Sequence, residues 1–288
     1  MKRIITLGST FLALAASASA LTIILDFNEP AQANTTDIFG NVVQTFDVTS
    51  FGFVEADRAM IQNAIFNAVV TDYRGIFTDA QNALSPLPNG FELDIDFEIG
   101  DFGVAPSNGD TEFYYTQIGT RVSGPHNGLG VAGINSARDA AGNPHAINGR
   151  MVGSIFANNI NGLSGVGTQL SSGLISPTTH AIAGTLSHEI GHAVSLAHLN
   201  VAASLTPSGL NPLMGTGAID LPNAARIVDR EFAISGFNAQ AGGAAQAHIA
   251  QLMGSIGTRA LGVAVPEPST ALPLLLLMGL MALRRIRG

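Results

Sequence analysis

Apolar positions recur along the chain with periods that assign most of its elements. Leu21–Phe27 (LTIILDF) is a continuous apolar run, β-branched at its centre, and predicts a buried strand. Asn28 to Thr36 reads as turn, and Val42 to Val48 as a short strand. Between Glu55 and Phe77, Met60, Ile61, Ile65, Phe66, Val69 and Tyr73 recur at helical spacing and predict a long helix that covers a sheet. Phe91 to Ile99 (FELDIDFEI) alternates strictly. Its apolar face is Phe91, Leu93, Ile95, Phe97 and Ile99, and its polar face is Glu92, Asp94, Asp96 and Glu98, as in a half-buried strand. Thr111 to Ile118 predicts a further strand, with Phe113 and Tyr115 facing one way. Gly124 to Gly167 is rich in Gly and Asn, with turn pairs such as Asn127-Gly128, Asn148-Gly149 and Asn161-Gly162, and an edge strand is expected at Met151 to Phe156. A second long helix is expected from Thr178 or Thr179, where a hydroxyl can cap it, with Ile182, Leu186, Ile190 and Val194 toward the sheet. Pro222 to Ile234 and, more weakly, Ala244 to Ile256 predict two more helices, with loop at Ala239 to Ala247. This order suits an α+β domain.

The ends follow a different logic. Lys2 and Arg3, the apolar stretch Ile4 to Ala16, and Ala18-Ser19-Ala20 have the layout of a secretory signal peptide, residues 1–20. The last 24 residues, 265–288, join Val265-Pro266-Glu267-Pro268-Ser269 to a 13-residue apolar stretch (Ala271 to Leu283) and a cluster of Arg284, Arg285 and Arg287. As a helix that stretch covers about 20 Å, short of the roughly 30 Å hydrocarbon core, so it needs its flanks to lie in a membrane as a transmembrane helix. The tail resembles the PEP-CTERM sorting signal of Gram-negative bacteria. The resemblance implies export, transient inner-membrane anchoring, processing by signal peptidase and an exosortase-type enzyme, and a final place at the cell surface, in the extracellular matrix or secreted. Residues 21–264 are then the working domain.

Removing the ends changes the charge. The whole chain carries 13 basic and 21 acidic residues, net −8. The ends hold five of the basic residues, including the only lysine, Lys2, and one acid, Glu267; eight arginines and twenty acids remain, net −12. Such a surface repels nucleic acid and anionic lipid. There is no cysteine, hence no disulfide and no thiolate metal site.

Chemistry concentrates in Thr185 to His198, TLSHEIGHAVSLAH. Of seven histidines, four lie between His180 and His198. His188 and His192, four apart, share one helical face, roughly 6 Å apart at Cβ, and both can reach one ion. Glu189 stands beside them, suited to act as general base on a water at that ion. His198 cannot join from a straight helix: six residues advance about 600° and about 9 Å. The helix must end near Ser195 and the chain must turn back, after which three nitrogens leave a fourth zinc position open. His180 is too far upstream to join and reads as a cap, surface or supporting residue. Asp220 and Glu231 are rival third ligands.

This pattern resembles the metzincin clan of zinc metallopeptidases, H-E-x-x-H-x-x-G-x-x-H with a later Met-turn. The resemblance implies His188, His192 and His198 as ligands of one catalytic Zn2+, Glu189 as general base, and Met214 within NPLMGTG (Asn211 to Gly217) as the hydrophobic floor of the site. The fold it implies is a metzincin-like zincin domain, a mixed, twisted sheet packed on a long helix and an active-site helix. The activity it implies is a metalloendopeptidase that hydrolyses peptide bonds in a protein or peptide substrate by a Glu-activated, zinc-bound water. One position departs from the pattern: Ser195 replaces the glycine that suits a left-handed bend.

Several alternatives accompany this reading. A non-catalytic zinc-stabilised surface or extracellular-matrix protein is the main rival, against which an intact Glu189 argues. The acidic face of Phe91 to Ile99 offers a place for Ca2+, although such a face more often meets water. Asn28 to Phe46 could be a short pro-segment. Some metzincins place a tyrosine after the Met-turn, but this chain's tyrosines are Tyr73, Tyr114 and Tyr115. Arg226 or Arg230 could substitute, and nothing in the sequence selects either.

Overall fold

Leu21–Phe27 forms β1, buried along its whole length in a seven-stranded mixed sheet. It has a parallel neighbour on each side; Leu21, Ile23, Leu25 and Phe27 form its apolar face in the main core, while Thr22, Ile24 and Asp26 are buried on the opposite face. The computed structural model describes residues 20–30, 34–74, 87–88, 90–133, 137–138, 148–215, 221–237 and 244–261. All belong to one compact unit, Ala20–Val263. The signal-peptide and tail segments lie outside the described residues, save Ala20, as do Asp220 and residues 75–77 and 239–243.

A hairpin of β2 (Thr35–Thr36) and β3 (Val42–Gln44) follows β1. A 3₁₀ turn at Glu55–Asp57 then leads into α1 (Arg58–Arg74). Ile61, Ile65, Val69 and Tyr73, each four residues apart, are fully buried, whereas Met60 points outward and is 50% exposed. The alternating run Phe91 to Ile99 is two strands, not one: β4 (Phe91–Leu93) and β5 (Ile95–Ile99). Asp94 breaks it by donating its backbone N–H to Gly257, away from β1's ladder.

The sheet continues with β6 (Phe113–Ser123), β7 (Gly130–Ala132) and β8 (Met151–Phe156). Strands β5, β1, β6 and β8 run parallel, and β7 closes one edge antiparallel to β8. The expected edge strand at Met151 to Phe156 is therefore an interior strand, buried throughout, and the edge falls to β7. The supposed pro-segment is also corrected: β3 pairs with the far end of β6, and Asn28 Nδ2 donates to Val43 O, so its described residues are built into the sheet.

Short helices α2 (Ala157–Asn161) and α3 (Gly167–Leu170) lead to α4 (Ile175–Ala193), which packs with α1 against the sheet. Helix α4 begins before the threonines expected to cap it. Pro177 fits its first turn, where no helical N–H bond is lost, and Thr178 and Thr185 bond back to the carbonyls of Leu174 and Ala181 from inside the helix. β9 (Asn211–Pro212) pairs parallel with β10 (Arg230–Glu231). The helix expected from Pro222 is only a 3₁₀ turn, Asn223–Arg226, because the chain must return to pair with β9. β11 (Gly236–Phe237), β12 (Ala245–Gln246), α5 (His248–Ile256) and β13 (Thr258–Ala260), which pairs with β4, complete the unit. The architecture is α+β: a mixed sheet with its main core between the helices and the face formed by Leu21, Ile23, Leu25 and Phe27. No described helix is long and apolar enough to cross a membrane.

Candidate metal centre

Helix α4 ends in a turn that brings His198 back toward His188 and His192. Leu196 N donates to Gly191 O (2.8 Å) and Ser195 N to His192 O (3.0 Å), the two bonds of a Schellman cap. That cap requires a left-handed residue at Ser195, and its φ is +88°. Serine carries the conformation with help: its Oγ donates to Arg138 O at 2.8 Å, and its carbonyl accepts Gln251 Nε2 at 2.5 Å. The departure from glycine is thus accommodated by the same bend that glycine would make.

Beyond the turn, His198 returns to the helix. Its Nε2 lies 3.0 Å from His192 Nε2 and 3.1 Å from His188 Nε2. Two imidazoles on one tetrahedral zinc at about 2.05 Å would have nitrogens about 3.3 Å apart, so the three fit one ion. These three residues form the one metal-capable cluster among the described residues. Their other nitrogens orient them. His188 Nδ1–H donates to Leu213 O (2.7 Å) and His192 Nδ1–H to Leu196 O (2.8 Å), which leaves each Nε2 with its lone pair toward the others. Burial, reinforced by neighbouring imidazoles, holds His188 well below the usual histidine range and His192 down at about 4, so both are neutral near pH 7, the form in which an imidazole can bind a metal.

Leu213 belongs to the turn that follows β9, which places Met214. This side chain is fully buried; a methyl at Gly191 would stand 2.7 Å from its Sδ. Methionine therefore fills the space beneath the ligand helix and contributes no ligand. Glu189 is 8% exposed and accepts the backbone N–H of Ala132 on β7. Burial pushes its carboxyl up to about 8 against that hydrogen bond. The β7 edge comes close here because Gly130 has no side chain: a Cβ there would stand 2.8 Å from Glu189 Cγ. The histidines and Glu189 open into a cavity of about 800 Å³ that β7 borders.

The remaining candidates are placed elsewhere. Glu231 is buried and accepts the N–H groups of Ser208 (2.7 Å) and Leu210 (3.2 Å), so it is not a ligand. His180 lies in α4 outside the cluster. Tyr73 donates to Ser187 O (2.9 Å), Tyr115 to Val104 O (2.7 Å), and Tyr114 is buried, so none of them faces the cavity. The acidic face of β4 and β5 is engaged by protein partners. Glu92 and Asp96 are bridged by Arg74 and Arg259, while Glu98 accepts Ser107.

Four contributors had no clear sequence signal. Gly130 and Ala132 sit in a Gly-rich stretch that reads as loop. Ser187 Oγ donates to buried Asp72 (2.5 Å), which ties α1 to the ligand helix. His248 donates toward the backbone carbonyl of Ala197, beside His198, and burial pushes it down to about 3. The helix expected at Ala244 to Ile256 starts only at His248, and the sequence carried no hint that this residue lies against the loop that returns His198.

No protein-family model matches this chain, and no curated protein does. Among solved structures the chain is similar to one from the structure of a chaperone-substrate complex, at 13% identity and a TM-score of 0.34. That match covers 83% of this chain, which spans about a third (34%) of the length of the other. A likeness of this size carries no argument about fold family or function.

Proposed function

We propose that this chain is an exported, metzincin-like zinc endopeptidase. The observation that carries the reading is the convergence of three oriented Nε2 atoms beside a buried carboxylate, at the bottom of a cleft bordered by an edge strand. An all-nitrogen donor set of neutral imidazoles suits Zn2+. Bound there, zinc would supply Lewis acidity to a water and to the scissile carbonyl.

The chain's own residues would do the rest. Glu189, aimed by Ala132 N–H, would take the proton of the attacking water and pass it to the departing nitrogen. A carboxyl poised at about 8 can hold that proton between the two transfers, and a cation nearby would favour its ionised form at the start. Strand β7 offers backbone for an extended peptide to pair with, which gives affinity without dictating side chains. Met214 would be the Met-turn residue beneath the site. On this reading the signal-like and PEP-CTERM-like ends address the chain to signal peptidase, an exosortase-type enzyme and the inner membrane on its way to the cell surface, the matrix or the medium; nucleic acid is no partner.

The test is cleavage of a diverse peptide library by the zinc-loaded chain, with Glu189→Ala alongside. Cleavage by the parent and not by the variant supports the reading. Absence of cleavage by either, with one zinc bound and the fold intact, would favour a non-catalytic, zinc-stabilised surface or matrix protein.

A further inference from the structure

The cavity around the histidines is cationic, although the chain as a whole carries net −8. Its wall includes Arg121, Arg226 and Arg230, and Glu189 is the one carboxylate among the described residues that line it. Arg121 is committed elsewhere: Nη2 donates to Gly124 O at 2.6 Å, and the guanidinium lies 5.8 Å from the centroid of Phe156.

Arg230 is in a different position. It is 3% exposed, and its Nε and Nη2 are buried without an acceptor among the described residues. Asp72 and Asp229 lie close enough to favour its charge, but none of the ion pairs among the described residues includes it, and Asp72 accepts Ser187. A desolvated guanidinium with unfilled donors is unfavourable until an acceptor arrives. The packing around it is built, not incidental. Gly184, inside α4, has no side chain where the guanidinium lies flat against the helix; a Cβ would stand 2.8 Å from Arg230 Cζ. The next residue, Thr185, also lines the cavity, one turn before His188. Arg226, 7% exposed, lines the same cavity, and its charge opposes that of Arg230. Two desolvated cations in one cleft call for a full negative charge rather than an amide dipole, and the planar donor fork of arginine matches a carboxylate.

We propose that Arg230, assisted by Arg226, binds a carboxylate of the peptide in the cleft, which makes acidic peptides the preferred substrate class. This rests on the peptidase reading of the histidine centre. The carboxylate could belong to an Asp or Glu side chain or to the peptide's C-terminus, and the test separates them.

Matched peptides would carry Asp or Glu, or Asn or Gln, at each position flanking the scissile bond, each with a free and an amidated C-terminus. The full chain, Arg230→Gln and Arg226→Gln would be assayed for kcat/KM. The expected result is an acid-over-amide preference of about 10- to 100-fold at one position, lost in Arg230→Gln and reduced in Arg226→Gln. A preference for the free C-terminus alone would assign the carboxylate to the chain end. Equal cleavage of acidic and neutral peptides by the parent overturns the proposal, and that comparison needs no variant to fold. If no peptide is cleaved, glutarate titrated calorimetrically into the metal-free full chain decides the matter. Saturable binding that weakens in Arg226→Gln keeps the anion site while the peptidase reading fails; no binding overturns both.

Discussion

Ser195 tests whether the return of His198 depends on a left-handed residue. At φ +88°, a non-glycine residue carries a local cost of about 1–2 kcal/mol. Ser195→Gly removes that cost. It also removes the Oγ bond to Arg138 O, about 1 kcal/mol, and adds unfolded-state freedom of roughly 0.5–1 kcal/mol. These nearly cancel, so the glycine variant should lie within about 1 kcal/mol of the parent. Ser195→Ala keeps the backbone cost and leaves a carbonyl without its donor, a loss of about 1–2 kcal/mol. Ser195→Val adds β-branched crowding in the same region, for a total loss of about 2–4 kcal/mol. The consequence should reach the metal. Leu196 both completes the cap at Gly191 O and accepts His192 Nδ1–H, so a distorted turn misaims His192 and displaces His198 together. Urea denaturation gives the stabilities, and competitive zinc titration gives the affinities. Zinc affinity should follow the order glycine near parent, then alanine, then valine. A valine variant as stable and as tight for zinc as the parent would refute the reasoning, as would a glycine variant destabilised by more than about 2 kcal/mol.

Two further outcomes follow from the site's packing and protonation. Gly130→Ala places a methyl 2.8 Å from Glu189 Cγ and 3.0 Å from Ser154 O, so it should cost about 1–3 kcal/mol in urea melts and lower peptide hydrolysis at least tenfold with zinc content unchanged; an unimpaired variant would detach β7 from the positioning of Glu189. For the metal-free chain, the buried carboxyls and imidazoles oppose one another with pH. Glu189, raised to about 8, and Asp26 and Asp72, raised to about 7, hold protons in the fold that the unfolded chain has lost above about 4, so stability falls as pH rises toward those values. His192, lowered to about 4, His248, lowered to about 3, and His188, held well below the usual histidine range, bind protons in the unfolded chain first, so stability falls as pH drops below about 6.5. The two sets offset one another between about pH 4 and 6.5, and only the carboxyls act above that. Chelator-treated protein should therefore lose stability from pH 6.5 to 8 in urea melts, and a stability that rises over that interval would contradict the burial of these carboxyls.

The readable parts of the chain were those whose causes are local. The stripe Ile61, Ile65, Val69 and Tyr73 announces α1 because helical period and burial coincide. His188, His192 and His198 announce a bend because six residues of straight helix cannot bring the third ligand home. Where a partner distant in sequence decides the outcome, the pattern misleads. Phe91 to Ile99 alternates without fault, yet Gly257 takes Asp94 and splits the run. Pro222 to Ile234 could have been helical, but pairing of Arg230 and Glu231 with β9 claims it. The same distinction explains which site residues escaped notice. Glycines inside elements are costly and call for a reason. Here Gly130 makes room for Glu189, Gly184 for the Arg230 guanidinium, and Gly191 for Met214. In each case the small residue is visible in the sequence, while the group that occupies its space arrives from elsewhere in the chain. The glycines of β7 and α4 thus mark where the histidine-bearing helix is approached: by the edge strand on one side, by Met214 beneath, and by the Arg230 guanidinium.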